Sequence, residues 1–196
     1  MEGGSSRRAS LARIPIRSAD ALMKRPLLTV GLFALAAAVN TASVAQQQRT
    51  AWATRRFGRS AWHAHLLLIA PGWLAFLVSL PGLDRAVVWP LPRRVRPAGW
   101  ALLAASAGLW LAAYRQLGPE RIANGYFFGR GASQPVSGGI FRWLRNPMYD
   151  SYALAFAGSA LVSANAVYLL VAAESVLLLN FVEAKVENRP FSRPAS

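Results

Sequence analysis

The residues that can do chemistry gather in the last third of the chain. There a polar, glycine-dotted loop ends in Arg-Asn-Pro-Met-Tyr at residues 145–149, and a long apolar stretch then leads to Glu183 and Glu187. Guanidinium groups bind carboxylates and phosphates, whereas carboxylates and aromatic faces attract cations. This arrangement can hold a charged cofactor against a bilayer.

The carboxylates are few, and a charge in hydrocarbon is costly, so each one near an apolar stretch is a functional candidate. Glu183 and Glu187 are four positions apart and share a helical face with Asn180. Like charges at that spacing repel each other, which a bound cation would relieve. The alternative is a helix end in water, with Lys185 as the ion-pair partner. Glu174 falls on the opposite face, where two roles stay open: handling a proton, or a structural role in pairing with His63, His65 or Gln46.

Composition excludes several kinds of site. The chain has no cysteine, so it has no disulfide, thiolate metal site or cysteine nucleophile. His63 and His65 are two positions apart and point to different sides of a helix, so we expect packing at the membrane interface and no metal. The net charge of +14 falls mostly between apolar stretches. That pattern is typical of contact with anionic lipid headgroups, and we expect no nucleic acid partner.

The fold class follows from the apolar content. Of the 196 residues, 54% are hydrophobic and only 15% are charged, which is too much apolar surface for a soluble core of this size. The sequence therefore predicts an all-α, multi-pass integral membrane bundle with lipids as partners. The bacterial inner membrane, the endoplasmic reticulum and another organelle membrane all fit. Membrane orientation and oligomeric state stay open, because the Lys and Arg counts of alternate loops nearly balance.

Four apolar stretches define the predicted helices: residues 26–45, 61–80, 98–114 and 150–182. The last would be about 50 Å long as one helix, against a hydrocarbon core of about 30 Å. We therefore expect it to break at 163–165 and form a C-terminal helical hairpin, which gives four or five transmembrane segments. Residues 1–25 are expected to be a basic tail, and residues 26–196 a single membrane-embedded domain.

The remaining stretches are predicted loops. Residues 46–60 and 81–97 are polar or proline-rich, and residues 115–149 are polar with several glycine turn signals. Aromatic residues within 115–149 argue that this long loop is ordered at the interface. The third helix is rich in Ala, Gly and Ser, which predicts a position inside the bundle.

The Arg-Asn-Pro-Met-Tyr string, with Gly138–Arg142 before it and the acidic helix end after it, resembles the membrane-embedded methyltransferases. That family includes phosphatidylethanolamine N-methyltransferases and isoprenylcysteine carboxyl methyltransferases, and its pattern is Arg-His-Pro-x-Tyr-x-Gly with a later pair of glutamates. The resemblance covers residues 98–191. Asn146 stands where the family has histidine, and Asp150-Ser151 stands in place of x-Gly.

The resemblance implies methyl transfer from S-adenosylmethionine to a lipid or lipophilic acceptor at the membrane interface. The cofactor would lie between the loop and the terminal glutamates. Transfer of a methyl group from a sulfonium mainly requires positioning in a dry site. A lipid amine, a prenylated thiol-linked carboxylate and a small hydrophobic molecule all stay open as acceptors.

Roles for individual residues follow from the same resemblance. Arg145 and Asn146 are expected to hold the cofactor's carboxylate or ribose, and a glutamate its ammonium. Tyr149, with Tyr126 or Trp143, is expected to flank the sulfonium. One glutamate would accept the proton of an amine acceptor. The expected catalytic residues are Arg145, Glu183 and Glu187. The expected cofactor-binding residues are Tyr126, Gly139, Arg142, Asn146, Pro147, Tyr149, Glu183 and Glu187.

Two other functions stay open at this point. The NADPH-dependent membrane sterol and steroid reductases are similar over the Pro-x-Tyr turn, but they typically carry Gly-Glu after the tyrosine, where this chain has Asp150-Ser151. The other is a non-catalytic, degenerate member of the methyltransferase family, which the same departures and the short tail after Phe191 would fit.

Overall fold

The described part of the chain is helical. A computed structural model describes residues 19–83, 91–130 and 136–187, and the backbone alone for 19–23, 82, 181–184 and 187. The helices are α1 (Ala19–Thr50), α2 (Trp52–Phe57), α3 (Ala61–Leu83), α4 (Arg96–Ile122), α5 (Pro147–Ser163), α6 (Val167–Ser175), a π-helical stretch (Val176–Glu183) and α7 (Ala184–Glu187). The last three are continuous and are called the C-terminal helix below. The described residues include no strand, which confirms the all-α prediction.

Two helical runs are long and apolar enough to cross a membrane. They are Lys24–Thr50 and Trp52–Pro81, and a shorter apolar run covers Val167–Asn180. Helix α5 has only 17 residues. Within the described residues, fewer helices therefore meet the length and hydropathy requirement than the four or five spans that the sequence predicted.

The N-terminal part is more helical than predicted. Helix α1 begins at Ala19, so residues 19–25, expected in the basic tail, belong to it, while residues 1–18 lie outside the described residues. The prediction of a loop at residues 46–60 is also wrong, because the end of α1, helix α2 and a 3-10 helix occupy these residues. Gln47 accounts for this difference. Its side chain is buried, and the side-chain carbonyl accepts hydrogen bonds from the N–H groups of Ala53 and Thr54. A polar residue therefore joins α1 to α2 here.

An aromatic cluster joins α1, α3 and α5. The ring of Phe33 on α1 meets Trp73 and Phe76 of α3 edge-on, with centroids 5.6 and 5.1 Å apart. Phe156 of α5 approaches the same ring to 5.9 Å. Edge-to-face contacts of this kind add about 0.5–1.5 kcal/mol each beyond the buried area. The cluster therefore packs the middle of α5 against α1 and α3.

Helices α4 and α5 approach each other closely. A Cβ atom on Gly99 would lie 2.8 Å from the carbonyl oxygen of Gly158, and the Ser106 hydroxyl donates to the carbonyl of Ser151 at 2.8 Å. Helix α4 buries Gly99, Ser106 and Ala113, which form one stripe, and exposes most of its other small residues. The prediction that this helix lies inside the bundle is therefore wrong, because its small residues serve one contact with α5.

The chain leaves the helix at Ala164, where the sequence predicted an interruption. Ala164 has a left-handed backbone with φ 56°, and α6 starts at Val167. The buried Asn165 holds this turn: its amide donates to the carbonyl of Leu83 at 2.8 Å and accepts the N–H of Val167 at 3.1 Å. The C-terminal helix then contacts α5 and α1.

The close approach of α4 and α5 predicts unequal effects of two similar substitutions. Gly99→Val should destabilise the protein by about 1–3 kcal/mol, because the new side chain must displace the backbone of α5. Gly108→Val on the same helix is the matched control, since a Cβ there meets nothing within 4 Å. Thermal unfolding of both variants in detergent measures the difference. Equal stability of the two would contradict the packing described here.

Candidate active site

The loop between α4 and α5 is held by side chains from α1 and α3. The indole N–H of Trp62 donates to the carbonyl of Ala123 at 2.9 Å, and the Gln47 amide donates to the carbonyl of Phe127 at 3.3 Å. Non-helical backbone inside an apolar bundle must find such partners, because lipid offers none. These bonds therefore fix the loop that carries one wall of the site.

Asn124 is the corner of this loop. Its φ of 60° lies in the left-handed region, which Asn tolerates better than most residues. Its amide donates to the side-chain carbonyl of Asn40 on α1 at 3.1 Å, and both residues are buried. The corner is thus held by a polar pair that reaches from α1 to the loop.

The Arg-Asn-Pro-Met-Tyr string forms the entry into α5. Asn146 immediately precedes the helix, and Pro147 occupies its first position, where the missing N–H is not needed. Tyr149 follows in the first turn and is only 7% exposed. The turn therefore places polar groups just outside the helix and an aromatic ring just inside the bundle.

A polar cavity of about 180 Å³ lies against this turn. Its lining includes two arginines, two asparagines and two tyrosines, together with Pro147 and apolar residues: Arg121, Arg145, Asn124, Asn146, Tyr126 and Tyr149. Of the residues that the sequence singled out for cofactor binding or catalysis, the structure brings five to this cavity: Tyr126, Arg145, Asn146, Pro147 and Tyr149.

Other predicted residues lie elsewhere. Arg142 is exposed and its guanidinium lies over the ring of Trp143, 5.7 Å from the centroid; Trp143 itself is 79% exposed. Neither lines the polar cavity. Gly139 does not line it either, but sits under the side chain of Gln116 with φ 55°. The Gln116 amide, oriented by its hydrogen bonds, donates to Gly138 and accepts from the N–H of Ile140, so this segment is tied to α4.

Sequence reasoning missed two polar residues of this cavity, Arg121 and Asn124. The guanidinium of Arg121 lies 5.5 Å from the ring centroid of Tyr126, so the tyrosine positions the arginine. Nothing in the sequence marks Arg121 as a partner of Arg145, because 24 positions separate them. Asn124 was visible only as part of an Asn-Gly turn signal.

An apolar cavity of about 350 Å³ adjoins the polar one. It lies between α1, α3, α5 and the C-terminal helix, with walls from Phe33, Trp73 and Leu179. The two cavities share four lining residues: Ile122, Asn124, Met148 and Tyr149. A polar compartment and an apolar compartment therefore meet at one wall.

The C-terminal helix is bonded to the motif turn. The amide of Asn180 donates to the carboxylate of Asp150 at 3.0 Å. Asn180 and Glu183 both lie in the π-helical stretch, and π-helical segments are frequent at functional sites. Glu187 lies in α7. The side chains of Glu183 and Glu187 lie outside the described part, so their binding roles stay predictions.

Within the described residues, no group of three or more His, Asp or Glu side chains comes together in a way that could hold a metal ion. His65 is buried and its ring nitrogen Nδ1 lies 2.9 Å from the hydroxyl of Ser43. Glu174, which the sequence suggested as a partner of a histidine or Gln46, has one carboxylate oxygen without a hydrogen-bond partner among the described residues.

The half of the chain that carries the polar cavity matches a known protein family. The family model for phospholipid methyltransferases matches residues 95–193, about half of the chain. The chain belongs to the phospholipid methyltransferase family. No curated protein and no solved structure gives a significant match.

Membership in the phospholipid methyltransferase family implies methyltransferase activity in association with a membrane, on lipid-like substrates. The match begins at the start of α4 and includes every lining residue of the polar cavity named above. Helices α1 and α3, which complete the apolar cavity, precede the matched region. The family segment thus carries the polar compartment, and the N-terminal half closes the apolar one.

The departures from the methyltransferase motif have structural partners. Asp150 accepts the hydrogen bond from Asn180, and the Ser151 hydroxyl donates to the carbonyl of Met148 at 2.6 Å. Asn146 lines the polar cavity in the position of the usual histidine. Asp150 and Ser151 therefore bind α5 to the C-terminal helix and close its first turn.

Gly139 gives a prediction about the loop beside the cavity. Gly139→Ala should destabilise the protein by about 1–2 kcal/mol, because a Cβ at positive φ is strained and would also overlap the Gln116 amide. Gly138→Ala is the control, since its φ is −89° and a Cβ there meets nothing within 4 Å. Thermal unfolding and amide hydrogen exchange at Ile140 measure the effect. If Gly138→Ala cost as much, the Gln116 contact would not hold the loop.

Proposed function

We propose that this chain transfers a methyl group from S-adenosylmethionine to a lipid or lipophilic acceptor at the membrane interface. The reaction would be most like phospholipid N-methylation or isoprenylcysteine carboxyl methylation. One observation carries the proposal: Asn124, Met148 and Tyr149 line both the polar and the apolar cavity. A charged donor and a lipophilic acceptor need separate compartments with a common wall, because the reacting atoms must meet at about 3–3.5 Å.

The lining of the polar cavity fits the amino-acid end of the cofactor. Arg121 and Arg145 provide charge-assisted hydrogen bonds for a carboxylate, and the amides of Asn124 and Asn146 provide donors and acceptors for hydroxyls. At about 180 Å³ the cavity is smaller than the roughly 300–1,000 Å³ of typical ligand sites. Arg145 at its rim is exposed. The nucleoside end of the cofactor would therefore extend outward past this rim.

Tyr149 is assigned the contact with the sulfonium. The cofactor supplies an electrophilic methyl group on that positively charged sulfur, and aromatic faces attract cations. Tyr149 is buried at the wall common to both cavities. One face of Tyr126 is already covered by Arg121, so Tyr126 serves to position that arginine.

We assign Glu183 and Glu187 to binding the ammonium group of the cofactor. The backbone of Glu183 lies three residues after Asn180, whose amide binds Asp150 beside the motif tyrosine. A carboxylate entering the site from this helix would balance the two arginines. With an amine acceptor, it would also take the proton released on methylation.

The apolar cavity is assigned to the acceptor's hydrocarbon part. At about 350 Å³, with aromatic walls from α1, α3 and α5, it provides the dry surroundings that favour displacement at the methyl group. In this arrangement α1 and α3 cross the membrane. Helices α4 and α5 and the C-terminal helix lie beside them, with α5 and the C-terminal helix as a helical hairpin, for four or five spans in all.

Binding of S-adenosylmethionine tests the polar cavity. Arg145→Leu should weaken binding to the detergent-solubilised protein about tenfold or more, because one hydrogen bond to a charged group is worth about 1.5–3 kcal/mol. Arg142→Leu is the matched control: it removes the same charge three residues earlier in the same segment, outside the cavity. Titration calorimetry measures both dissociation constants.

Labelled methyl transfer on membranes, followed by lipid extraction, tests the reaction itself. Radioactivity in the lipid fraction that disappears in Arg145→Leu supports the proposal. Binding of NADPH in place of S-adenosylmethionine would indicate a reductase. Cofactor binding without transfer to any membrane fraction would indicate a non-catalytic member of the family.

The carboxylate assignment is tested separately. Glu183→Ala should abolish S-adenosylmethionine binding in the calorimetric titration, because the cofactor's ammonium would lose its counter-charge. Lys185→Ala, two positions later on an exposed side chain, should leave binding unchanged. Retained affinity in Glu183→Ala would remove this residue from the site and leave the arginine assignment standing.

A further inference from the structure

A third cavity, of about 220 Å³, lies at the corner where the end of α1, helix α2 and the first turns of α3 meet. All but one of the residues that line it precede residue 95, so it lies largely outside the segment that the family model matches. Among the described residues, it shares no lining residue with the polar or the apolar cavity. Methyl transfer as proposed above makes no use of it.

Exposed apolar side chains form the mouth of this cavity. Trp52 and Phe57 of α2 are 49% and 44% exposed, and their rings meet edge-on with centroids 5.7 Å apart. Leu68, about two turns into α3, is 56% exposed and also lines the cavity. Because α3 belongs to a run long enough to cross a membrane, the mouth extends from aromatic rings typical of the interface toward the hydrocarbon.

The same corner is strongly basic. Four exposed arginines lie between residues 49 and 59, and none of them forms an ion pair within the described ranges: Arg49, Arg55, Arg56 and Arg59. The sequence has no carboxylate between Asp20 and Asp84 that could neutralise them. The guanidinium of Arg130 adds a further positive charge, since it donates to the carbonyl of Arg59 at 3.3 Å. Such a cluster beside an apolar cavity complements a ligand with an anionic head and an apolar tail.

Helical spacing separates two of these arginines. Arg56 is three positions after Ala53, which lines the cavity, so the two are neighbours on one face of α2. Arg55 is two positions after Ala53 and lies on a different face. Arg56 is therefore the arginine of α2 placed beside the cavity.

Gln46 supplies a neutral polar group at the same place. It is exposed near the end of α1 and lines the cavity. Its amide N–H can donate to an ester or phosphate oxygen, which a guanidinium also binds. Polar donors thus lie at the α2 end of the cavity, and Leu68 lies at the other.

We propose that this corner binds one anionic phospholipid, with its phosphate at Arg56 and Gln46 and part of one acyl chain between Trp52, Phe57 and Leu68. A cavity of about 150 Å³ holds benzene, so this one has room for a segment of an acyl chain. The rest of the chain lies along the exposed side of α3. This lipid is a bound partner, separate from the methyl acceptor in the apolar cavity.

The test uses the full chain in a nonionic detergent at physiological salt, where the attraction between distant charges is screened. The probes are dioleoylphosphatidylglycerol, which is anionic, and dioleoylphosphatidylcholine, which has the same chains and no net charge. Native mass spectrometry should show one phosphatidylglycerol retained per chain and about tenfold weaker retention of phosphatidylcholine. Phosphatidylglycerol with brominated chains should quench the fluorescence of the wild type more than that of Trp52→Phe.

Two arginine variants test the head of the site. Arg56→Gln should weaken retention of phosphatidylglycerol about tenfold, the usual effect of losing a hydrogen bond to a charged group. Arg55→Gln is the matched control, because it removes the same charge from the neighbouring position on a different face of α2, and it should change retention about twofold at most. Both side chains are exposed, so the midpoint of thermal unfolding should match the wild type in both variants.

A second pair of variants tests the cavity without changing any charge. Ala64→Leu places a larger side chain in the lining and should weaken retention of phosphatidylglycerol. Ala70→Leu makes the same change at an exposed position of α3 that lines none of the three cavities, and it should have no effect.

Several results would overturn the proposal. They are equal retention of phosphatidylcholine, equal losses in Arg55→Gln and Arg56→Gln, and unchanged retention in Ala64→Leu. Displacement of the lipid by inorganic phosphate would assign the arginines to a free anion, and a dimer that retains no lipid would assign the corner to a second copy of the chain. None of these results depends on whether S-adenosylmethionine binds.

Discussion

The structure depends on how irregular backbone is satisfied inside an apolar bundle. Between α4 and α5 the chain leaves the helix, and its carbonyl groups at Ala123 and Phe127 receive hydrogen bonds from Trp62 and Gln47. An unsatisfied peptide group in hydrocarbon costs several kcal/mol. The polar side chains of α1 and α3 therefore have a structural role, because they hold the loop that forms one wall of the site.

This constraint explains why the site has two compartments. The loop turns at Asn124, whose left-handed backbone is held by Asn40, and so meets the first turn of α5 at Tyr149. One side of that meeting is lined by arginines and amides, and the other by the aromatic cluster of α1, α3 and α5. The family segment carries the first side, while helices outside the match complete the second.

The close contact between α4 and α5 has a related role. Gly99 and Gly158 let the two backbones touch, and the hydroxyl of Ser106 caps a carbonyl of α5 at Ser151. Asp150, one position earlier, is bound from the other side by Asn180. The start of α5 is thereby held from α4 and from the C-terminal helix at adjacent residues. A site of this kind needs that rigidity, since small displacements of positioning residues are costly for catalysis.

The sequence alone determined the all-helical class, the membrane association and the family, because hydrophobic content and the string at residues 145–149 are local features. It also placed the interruption at Ala164. It failed at residues 46–60, where Gln47 reads as a loop residue but binds backbone from inside the bundle. The prediction that α4 lies inside the bundle was wrong for a similar reason. Small residues permit close packing, but they do not show which face of the helix packs against a neighbour.

Only the tertiary structure decided which polar residues meet. Arg121 and Arg145 line one cavity although 24 positions separate them, and Arg142, much nearer to Arg145 in the chain, points away. His65, which the sequence assigned to interface packing, is buried between Ser43 and Phe128 beside a separate cavity. Periodicity places a residue on a face of its own helix, but contacts between distant segments depend on how the helices pack against one another, and a single sequence does not encode that packing locally.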